Sequence, residues 1–424
     1  MELKENIKQV KKSSYTLAAL PGETRNRALE AVCEALQANE TDILEANRLD
    51  LQRAESTQLA APLLSRLKFD QKKIQGCIDG IRDLIQMPDP LFRKGLQREL
   101  DQGLVLTKES CPIGVIGVIF ESRPDALVQI ASLCIKSGNG IILKGGSEAK
   151  ETNRVLFDTI YRAAVSAGLP VGFAQLIEDR AGIDELLQCH GDVDLIIPRG
   201  SNAFVKYIMD NTSIPVMGHA DGICHIYVDG AALMGKAIPI IIDSKTQYPA
   251  ACNAAETLLV HSAIADVLIP ALADAAGAKI QLLGDEKTVQ LIGCGKASEE
   301  DYQTEYLDNI LCIRVVESID EAIEHINRYG SHHTDCIITE DADSAAKFMA
   351  LVDSAGVYQN CSTRFADGYR YGFGAEVGIS TGKLHARGPV GLDGLVTYKY
   401  KLVGDGHIVE DYASGRSKFR FRDL

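Results

Sequence analysis

The chain has 424 residues, room for two or three domains at roughly 150 residues each, every one large enough to bury its own core. Its composition, 46% hydrophobic and 24% charged with 37 glycines and 13 prolines, excludes disordered, collagen-like and mucin-like chains. Acidic side chains number 58 against 44 basic, and the formal charge of −14 opposes a nucleic-acid partner while leaving room for local anion sites.

In chain order, the first 90 residues or so read as helical, because Ala28, Leu29, Val32, Leu36, Ile43, Leu44 and Leu51 recur at spacings of three, four and seven. The N-terminus carries no apolar signal region, and no later stretch reaches the length of a membrane span, so a cytoplasmic protein without a membrane partner is expected. Residues 92–111 alternate polar and apolar around Asp101-Gln102-Gly103 and suggest a projecting hairpin. From Gly114 onward, short β-branched runs (115–120, 140–144, 174–177, 195–197, 223–228) alternate with helical stretches (124–136, 147–167, 202–209). A second such block has strands at 256–260, 310–316, 335–339 and 356–359 and helices at 264–276, 319–327 and 343–352. Alternation of this kind implies parallel strands with crossover helices, hence two doubly wound α/β domains. An exposed strand near 395–400 makes a second edge, so homo-oligomerisation through hairpin and tail is expected.

The eleven cysteines are scattered, odd in number and without a CxxC pair, which reads as reduced thiols and not as disulfides or a zinc site. Cys252 stands apart. It follows Tyr248-Pro249-Ala250-Ala251 and precedes a strand, a low-bulk setting in which a loop can present a thiolate to an acyl carbon. Most cysteines are simply small buried hydrophobes, and local context leaves Cys252 balanced between the two readings. Gly-rich turns at Gly114-Val115-Ile116-Gly117, Lys144-Gly145-Gly146-Ser147 and Arg199-Gly200-Ser201 are candidate anion sites, although none matches a dinucleotide fingerprint or a P-loop. The His332-His333, Cys189-His190 and Cys224-His225 pairs lack further ligands at metal-site spacing, so no metal is assigned.

Taken together, five motifs resemble the aldehyde dehydrogenase superfamily and, within it, the gamma-glutamyl phosphate reductases of proline biosynthesis. They are Gly114 to Pro124 (GVIGVIFESRP), Ile142 to Ser147 (ILKGGS), Tyr248 to Ala254 (YPAACNA), Asn360 to Gly368 (NCSTRFADG) and His385 to Leu392 (HARGPVGL), and the likeness spans nearly the whole chain. The reductase half of eukaryotic pyrroline-5-carboxylate synthases is similar as well. The resemblance implies an aldehyde dehydrogenase-like fold with an NADP(H)-binding domain (1–91 and 112–228), a thiol-bearing catalytic domain (229–394) and an oligomerisation element (92–111 and 395–424). It implies Cys252 as nucleophile toward gamma-glutamyl phosphate, a thioester, and reduction by NADPH to glutamate 5-semialdehyde.

By the same resemblance, Lys144, Gly145, Ser147, Gly200, Ser201 and Glu305 would hold NADPH/NADP+, Ser122 would stand where an oxyanion donor sits, and Arg123, Asn253 and Arg364 would meet the substrate. Hydrolytic relatives carry a Glu-Leu-Gly-Gly motif whose Glu activates water. Here the matching text is Val216-Met217-Gly218-His219-Ala220-Asp221-Gly222, without a Glu, as a reductase requires. A transient complex with a separate glutamate 5-kinase is also expected, because the acyl phosphate is labile. Two other readings stay open at this point: a thiol hydrolase or acyltransferase using His219 or His225 as base, and a non-catalytic scaffold.

Overall fold

The computed structural model describes residues 2–59, 61–179, 182–218, 221–373 and 376–424. It divides into two compact units, one of Met1–Met217, Gly374–Gly378 and Val390–Leu424, the other of Gly218–Phe373 and Ile379–Pro389.

The first unit opens with helices Glu2–Ala18, Gly22–Ala38, Glu40–Ser56, Ala61–Leu67 and Gln71–Gln86. The three-four spacing of Ala28, Leu29, Val32 and Leu36 becomes one buried face of the second helix. Polar residues are buried here too. Asp50, with no exposure, accepts from the Glu151 and Thr152 amides and the Thr152 hydroxyl, capping helix Lys150–Ser166. The hairpin follows as β1 (Lys94–Asp101) and β2 (Leu104–Pro112). Next come β3 (Val115–Phe120), β4 (Gly140–Gly145), β5 (Ala174–Ile177) and β6 (Leu195–Arg199), a parallel sheet in the order β5-β4-β3-β6. Every residue of β3 and β4 is buried, as expected of parallel strands covered on both faces. Val115, Ile119, Ile142 and Ile196 pack there with Ile7 and Val10 of the first helix.

The second unit is built on seven parallel strands: β7 (Cys224–Val228), β8 (Ala255–His261), β9 (Gln281–Gly284), β10 (Gly295–Lys296), β11 (Ile310–Val316), β12 (Thr334–Ile338) and β13 (Gly356–Gln359). They lie in the order β10-β9-β11-β8-β7-β12-β13. Alternate residues serve opposite faces. Ile226 and Val228 join Leu258, Val260 and Leu268 on one side, while Tyr227 joins Leu259, Ile337 and Phe348 on the other. The β7 run had been expected in the first domain, up to residue 228, but it pairs with β8 and β12, so the first parallel sheet ends at β6. Alternation of strand and helix reveals parallel strands without revealing which sheet a strand joins.

Two short strands, β14 (Gly378–Ser380) and β15 (Gly388–Val390), pair with each other. The tail contributes β16 (Val396–Val403) and β17 (Arg422–Asp423), which complete an antiparallel sheet with the hairpin in the order β16-β2-β1-β17. Beyond Val396 the whole of β16 is exposed. The structure therefore has the expected mixed α/β architecture with parallel sheets. Among the described residues, no helix is long and apolar enough to cross a membrane.

Candidate active site

In the first unit, three predicted segments leave the carboxyl edge of adjacent parallel strands: 121–123 after β3, 145–147 after β4 and 200–201 after β6. Chain order reverses at β3, with β4 on one side and β6 on the other, and such a switch point opens a crevice for ligands at this edge. Ser122, Arg123, Lys144, Gly145, Ser147, Gly200 and Ser201 are thus brought to one edge. Lys144 is 4% exposed and donates from Nζ to the Gly145 carbonyl at 2.5 Å. A Cβ at residue 145 would stand 2.1 Å from Asn153 Nδ2, so glycine is what lets that amide close over the strand end. Beside it lies an open depression lined by Gly145, Gly146, Ser147, Lys150, Asn153, Leu176, Ile177 and Glu178. Asn153 Oδ1 is buried without a hydrogen-bond partner among the described residues. That orphaned acceptor and the Lys150 ammonium are groups of the kind that meet the base and phosphate of a nucleotide, while the Glu178 carboxylate in the same lining would repel an anion.

The turns themselves carry carboxylates that sequence reasoning missed. Glu148 Oε1 accepts from the Ser122 amide at 2.6 Å and from its hydroxyl at 2.7 Å. Ser122 is 2% exposed, with φ of 44°. Its one hydroxyl proton is spent on Glu148, which leaves none for the oxyanion expected of it. Glu121 Oε2 accepts the Ser201 amide at 3.1 Å, so an anion at the start of helix Asn202–Asp210 must exchange with a carboxylate already there. Both glutamates were visible in the FESRP and KGGSE text; what could not be read was which amides they would reach.

In the second unit, the loops preceding β11, β8, β7 and β12 come together at the amino edge of neighbouring strands. Cys252 is half-buried in a turn closed by Ala251 N–H to the Tyr248 carbonyl at 3.2 Å and Ala254 N–H to the Ala251 carbonyl at 2.8 Å. Its own carbonyl accepts the Cys224 thiol at 3.3 Å. Gly222 presses on the same backbone, since a Cβ there would stand 2.1 Å from the Cys252 oxygen and 2.5 Å from its Cα. Asn253, expected to meet substrate, is 3% exposed and donates from Nδ2 to the Ala366 carbonyl at 2.8 Å, while its own carbonyl accepts from Thr363 Oγ1 at 2.7 Å. It is a clamp behind the thiol loop and not a surface contact.

Arg364 is 9% exposed; its Nε donates to Gln247 Oε1 at 2.9 Å and its guanidinium lies 5.9 Å from the Tyr248 ring centre. Burial and neighbouring Arg370 lower its pKa, and Cys252 is close enough to pull the other way. Glu305 lies half-buried in the loop before β11, near Glu256. His225 has no exposure; it lies 3.3 Å from Asp335 and against the His325 ring, so it is packed inside the unit and does not serve as a base for a surface thiol. His219 lies outside the described residues. Among the described residues no group of three metal-binding side chains is gathered.

The aldehyde dehydrogenase family model matches residues 1–293. A gamma-glutamyl phosphate reductase of Acetivibrio thermocellus is 57% identical over 425 aligned positions, covering 100% of this chain and 99% of that protein. The crystal structure of a gamma-glutamyl phosphate reductase from Thermotoga maritima superposes with a TM-score of 0.94 at 39% identity, covering 96% of this chain and 100% of that one. An engineered glycolyl-CoA reductase with bound NADP+ has a TM-score of 0.64 at 15% identity, covering 94% of this chain and 96% of that one, a likeness of fold alone. The chain therefore belongs to the aldehyde dehydrogenase family, among the gamma-glutamyl phosphate reductases, and is an enzyme of that class.

Proposed function

We propose that this enzyme reduces gamma-glutamyl phosphate to glutamate 5-semialdehyde and phosphate, the second step of proline biosynthesis from glutamate, through a thioester on Cys252. The observation that carries this reading is the half-buried Cys252 thiol in a turn packed against Gly222, Cys224 and Asn253, with the Arg364 guanidinium within electrostatic reach. The Cys252 thiolate attacks the acyl carbon, the S–C bond forms, and the C–O bond to phosphate breaks. Phosphate leaves as a stable anion, so acylation needs little acid assistance. The harder task is the tetrahedral oxyanion, for which we assign the Cys252 backbone N–H as donor; losing one such donor typically costs roughly 100 to 1,000-fold in rate.

NADPH, when bound, supplies the hydride that reduces the thioester carbon. Lys144, Gly145, Ser147, Gly200, Ser201 and Glu305 are the residues assigned to hold it. As the aldehyde forms, the C–S bond breaks and Cys252 is left as thiolate. Arg364, oriented by Gln247, is the cation offered to the amino-acid end of the substrate, and Arg123 the one offered to its phosphate. With Ser122 and Asn253 engaged internally, neither is assigned a direct part in the chemistry. The hydrolase reading loses its described base with the burial of His225.

The first unit is read as the cofactor unit and the second as the catalytic one. The exposed edge of β16, with Tyr398, Tyr400 and Leu402 all more than half exposed, supports self-association. A cytoplasmic setting and transient contact with a glutamate 5-kinase complete the proposal. The test runs the reaction backward: glutamate 5-semialdehyde, phosphate and NADP+ should give NADPH only when phosphate is present, and NADPH formation independent of phosphate would refute it.

A further inference from the structure

Thr363 has no exposure, and its neighbours Ser362 and Arg364 are buried with it inside the second unit. Thr363 Oγ1 donates to the Asn253 carbonyl at 2.7 Å, so the residue after the thiol is bonded to the residue before the guanidinium. Asn253 returns the contact, Nδ2 to the Ala366 carbonyl at 2.8 Å, while its Oδ1 is buried with no hydrogen-bond partner among the described residues. Leaving a buried acceptor unpaired is costly, so the question is what the other end of that amide holds. It holds the short turn Thr363–Phe365, which is tied in addition to helix Met234–Thr246. The Thr363 amide donates to Ser244 Oγ at 3.2 Å, and the Ser244 hydroxyl donates to Ser362 Oγ at 3.1 Å.

Arg364 is fixed at three points of its own. Its amide donates to Ser362 Oγ at 3.3 Å, its carbonyl accepts from Arg370 Nη1 at 2.7 Å, and its Nε donates to Gln247 Oε1 at 2.9 Å, where Gln247 closes the helix that carries Ser244. A free arginine has many rotamers and would follow substrates of different length; this one is held at backbone and side chain alike. We propose that Thr363 and Gln247 are positioning residues that keep the Arg364 guanidinium at a set distance from Cys252, and that this distance selects acyl phosphates by the number of methylenes between acyl carbon and amino-acid end. The inference rests on the proposed role of Arg364. An amino-acid substrate one methylene shorter than the glutamyl group, gripped by Arg364, falls short of the thiol by roughly 1 Å, and a misplacement of that size at a reacting centre can cost about 100-fold in rate.

The reverse reaction with phosphate and NADP+ supplies the test, because glutamate 5-semialdehyde and aspartate 4-semialdehyde differ by that one methylene. Thr363→Val keeps the shape of the side chain and loses the donated hydrogen bond. In it, kcat/KM for glutamate 5-semialdehyde should fall about tenfold while that for aspartate 4-semialdehyde stays within about threefold, so the preference narrows. Thr363→Ser restores the hydroxyl and should keep the preference within about twofold of wild type. Gln247→Met changes an exposed position, where substitutions seldom disturb the fold, and should narrow the preference at least about threefold; it decides alone if Thr363→Val does not fold. An unchanged preference in Thr363→Val or in Gln247→Met, or equal narrowing in Thr363→Ser and Thr363→Val, overturns the inference. Arg364→Met separates it from the reading beneath. If that change leaves KM for glutamate 5-semialdehyde unaltered, the role of Arg364 fails and this inference with it; if KM rises while Thr363→Val keeps its preference, the inference alone fails.

Discussion

Gly222→Ala tests the support of the thiol loop. The residue's φ lies outside the left-handed range, so alanine is permitted by its own backbone and the effect is one of contact alone. An added Cβ would meet the Cys252 oxygen at 2.1 Å, its Cα at 2.5 Å and its carbonyl carbon at 2.6 Å. These are main-chain atoms that cannot rotate away. Since real Cβ contacts essentially never fall below 3.0 Å, the shortest must lengthen from 2.1 Å to at least 3.0 Å, a displacement of about 0.9 Å.

Overpacking of this kind typically costs about 1–3 kcal/mol. A misplacement of about 1 Å at a reacting centre can cost about 100-fold in rate. The displacement also disturbs the hydrogen bond that the Cys224 thiol donates to the same carbonyl. We therefore expect kcat/KM for gamma-glutamyl phosphate to fall about 100-fold, with a smaller loss of thermal stability. Steady-state NADPH oxidation and a thermal melt on the same sample separate the two effects. A folded Gly222→Ala enzyme with kcat/KM within threefold of wild type would refute the argument that this contact sets the position of the nucleophile.

Other outcomes follow from individual side chains. His325 is held near pKa 2 by burial, with His225 and two arginines adding to the fall; unfolded, it titrates near its ordinary 6.5. The unfolded chain then binds a proton that the folded one refuses, so stability is lost as pH falls from about 6.5 toward 2, by about 1 kcal/mol over the first full unit and about 1.4 kcal/mol per unit below that. His325→Phe should remove that share of the slope in denaturant melts at pH 7 and 5.5, and an unchanged slope would count against it. Arg364→Lys loses the planar hold on Gln247 and should raise KM for gamma-glutamyl phosphate about tenfold; an equal rise in KM for NADPH would point to a general loosening instead. Lys144→Met should weaken NADPH binding about tenfold while leaving thioester formation without NADPH nearly unchanged, which a phosphate-release burst reports.

The strands at 115–120, 174–177, 310–316 and 356–359 were legible to the residue, because buried parallel strands are short β-branched runs between turns. Helix Met234–Thr246 was missed because its apolar run Ala237 to Ile242 is unbroken and shows no three-four period. The role of Asp50 was not legible, since a helix face shows its period in sequence but not which distant amides it will cap. In the site, Cys252 was visible from its low-bulk turn and its motif. Gly222 and Cys224 were not, because their contact with Cys252 depends on β7 lying beside β8 with a register shift at Cys224 and His225. The buried pairing of Lys245 with Glu256 is not singled out by the sequence reading. The usable signal was a Glu set inside the apolar run Ala255 to Val260, where burial demands a partner.

The central claim is that Cys252 carries the glutamyl group between acylation and reduction. The direct measurement mixes the enzyme with gamma-glutamyl phosphate in the absence of NADPH, follows phosphate, and digests the quenched protein for mass spectrometry. The account predicts a burst of one phosphate per active site and a glutamyl adduct on the peptide bearing Cys252, both lost in Cys252→Ala. Reduction of gamma-glutamyl phosphate by Cys252→Ala at more than a small fraction of the wild-type rate, or an adduct on any other cysteine, would contradict it.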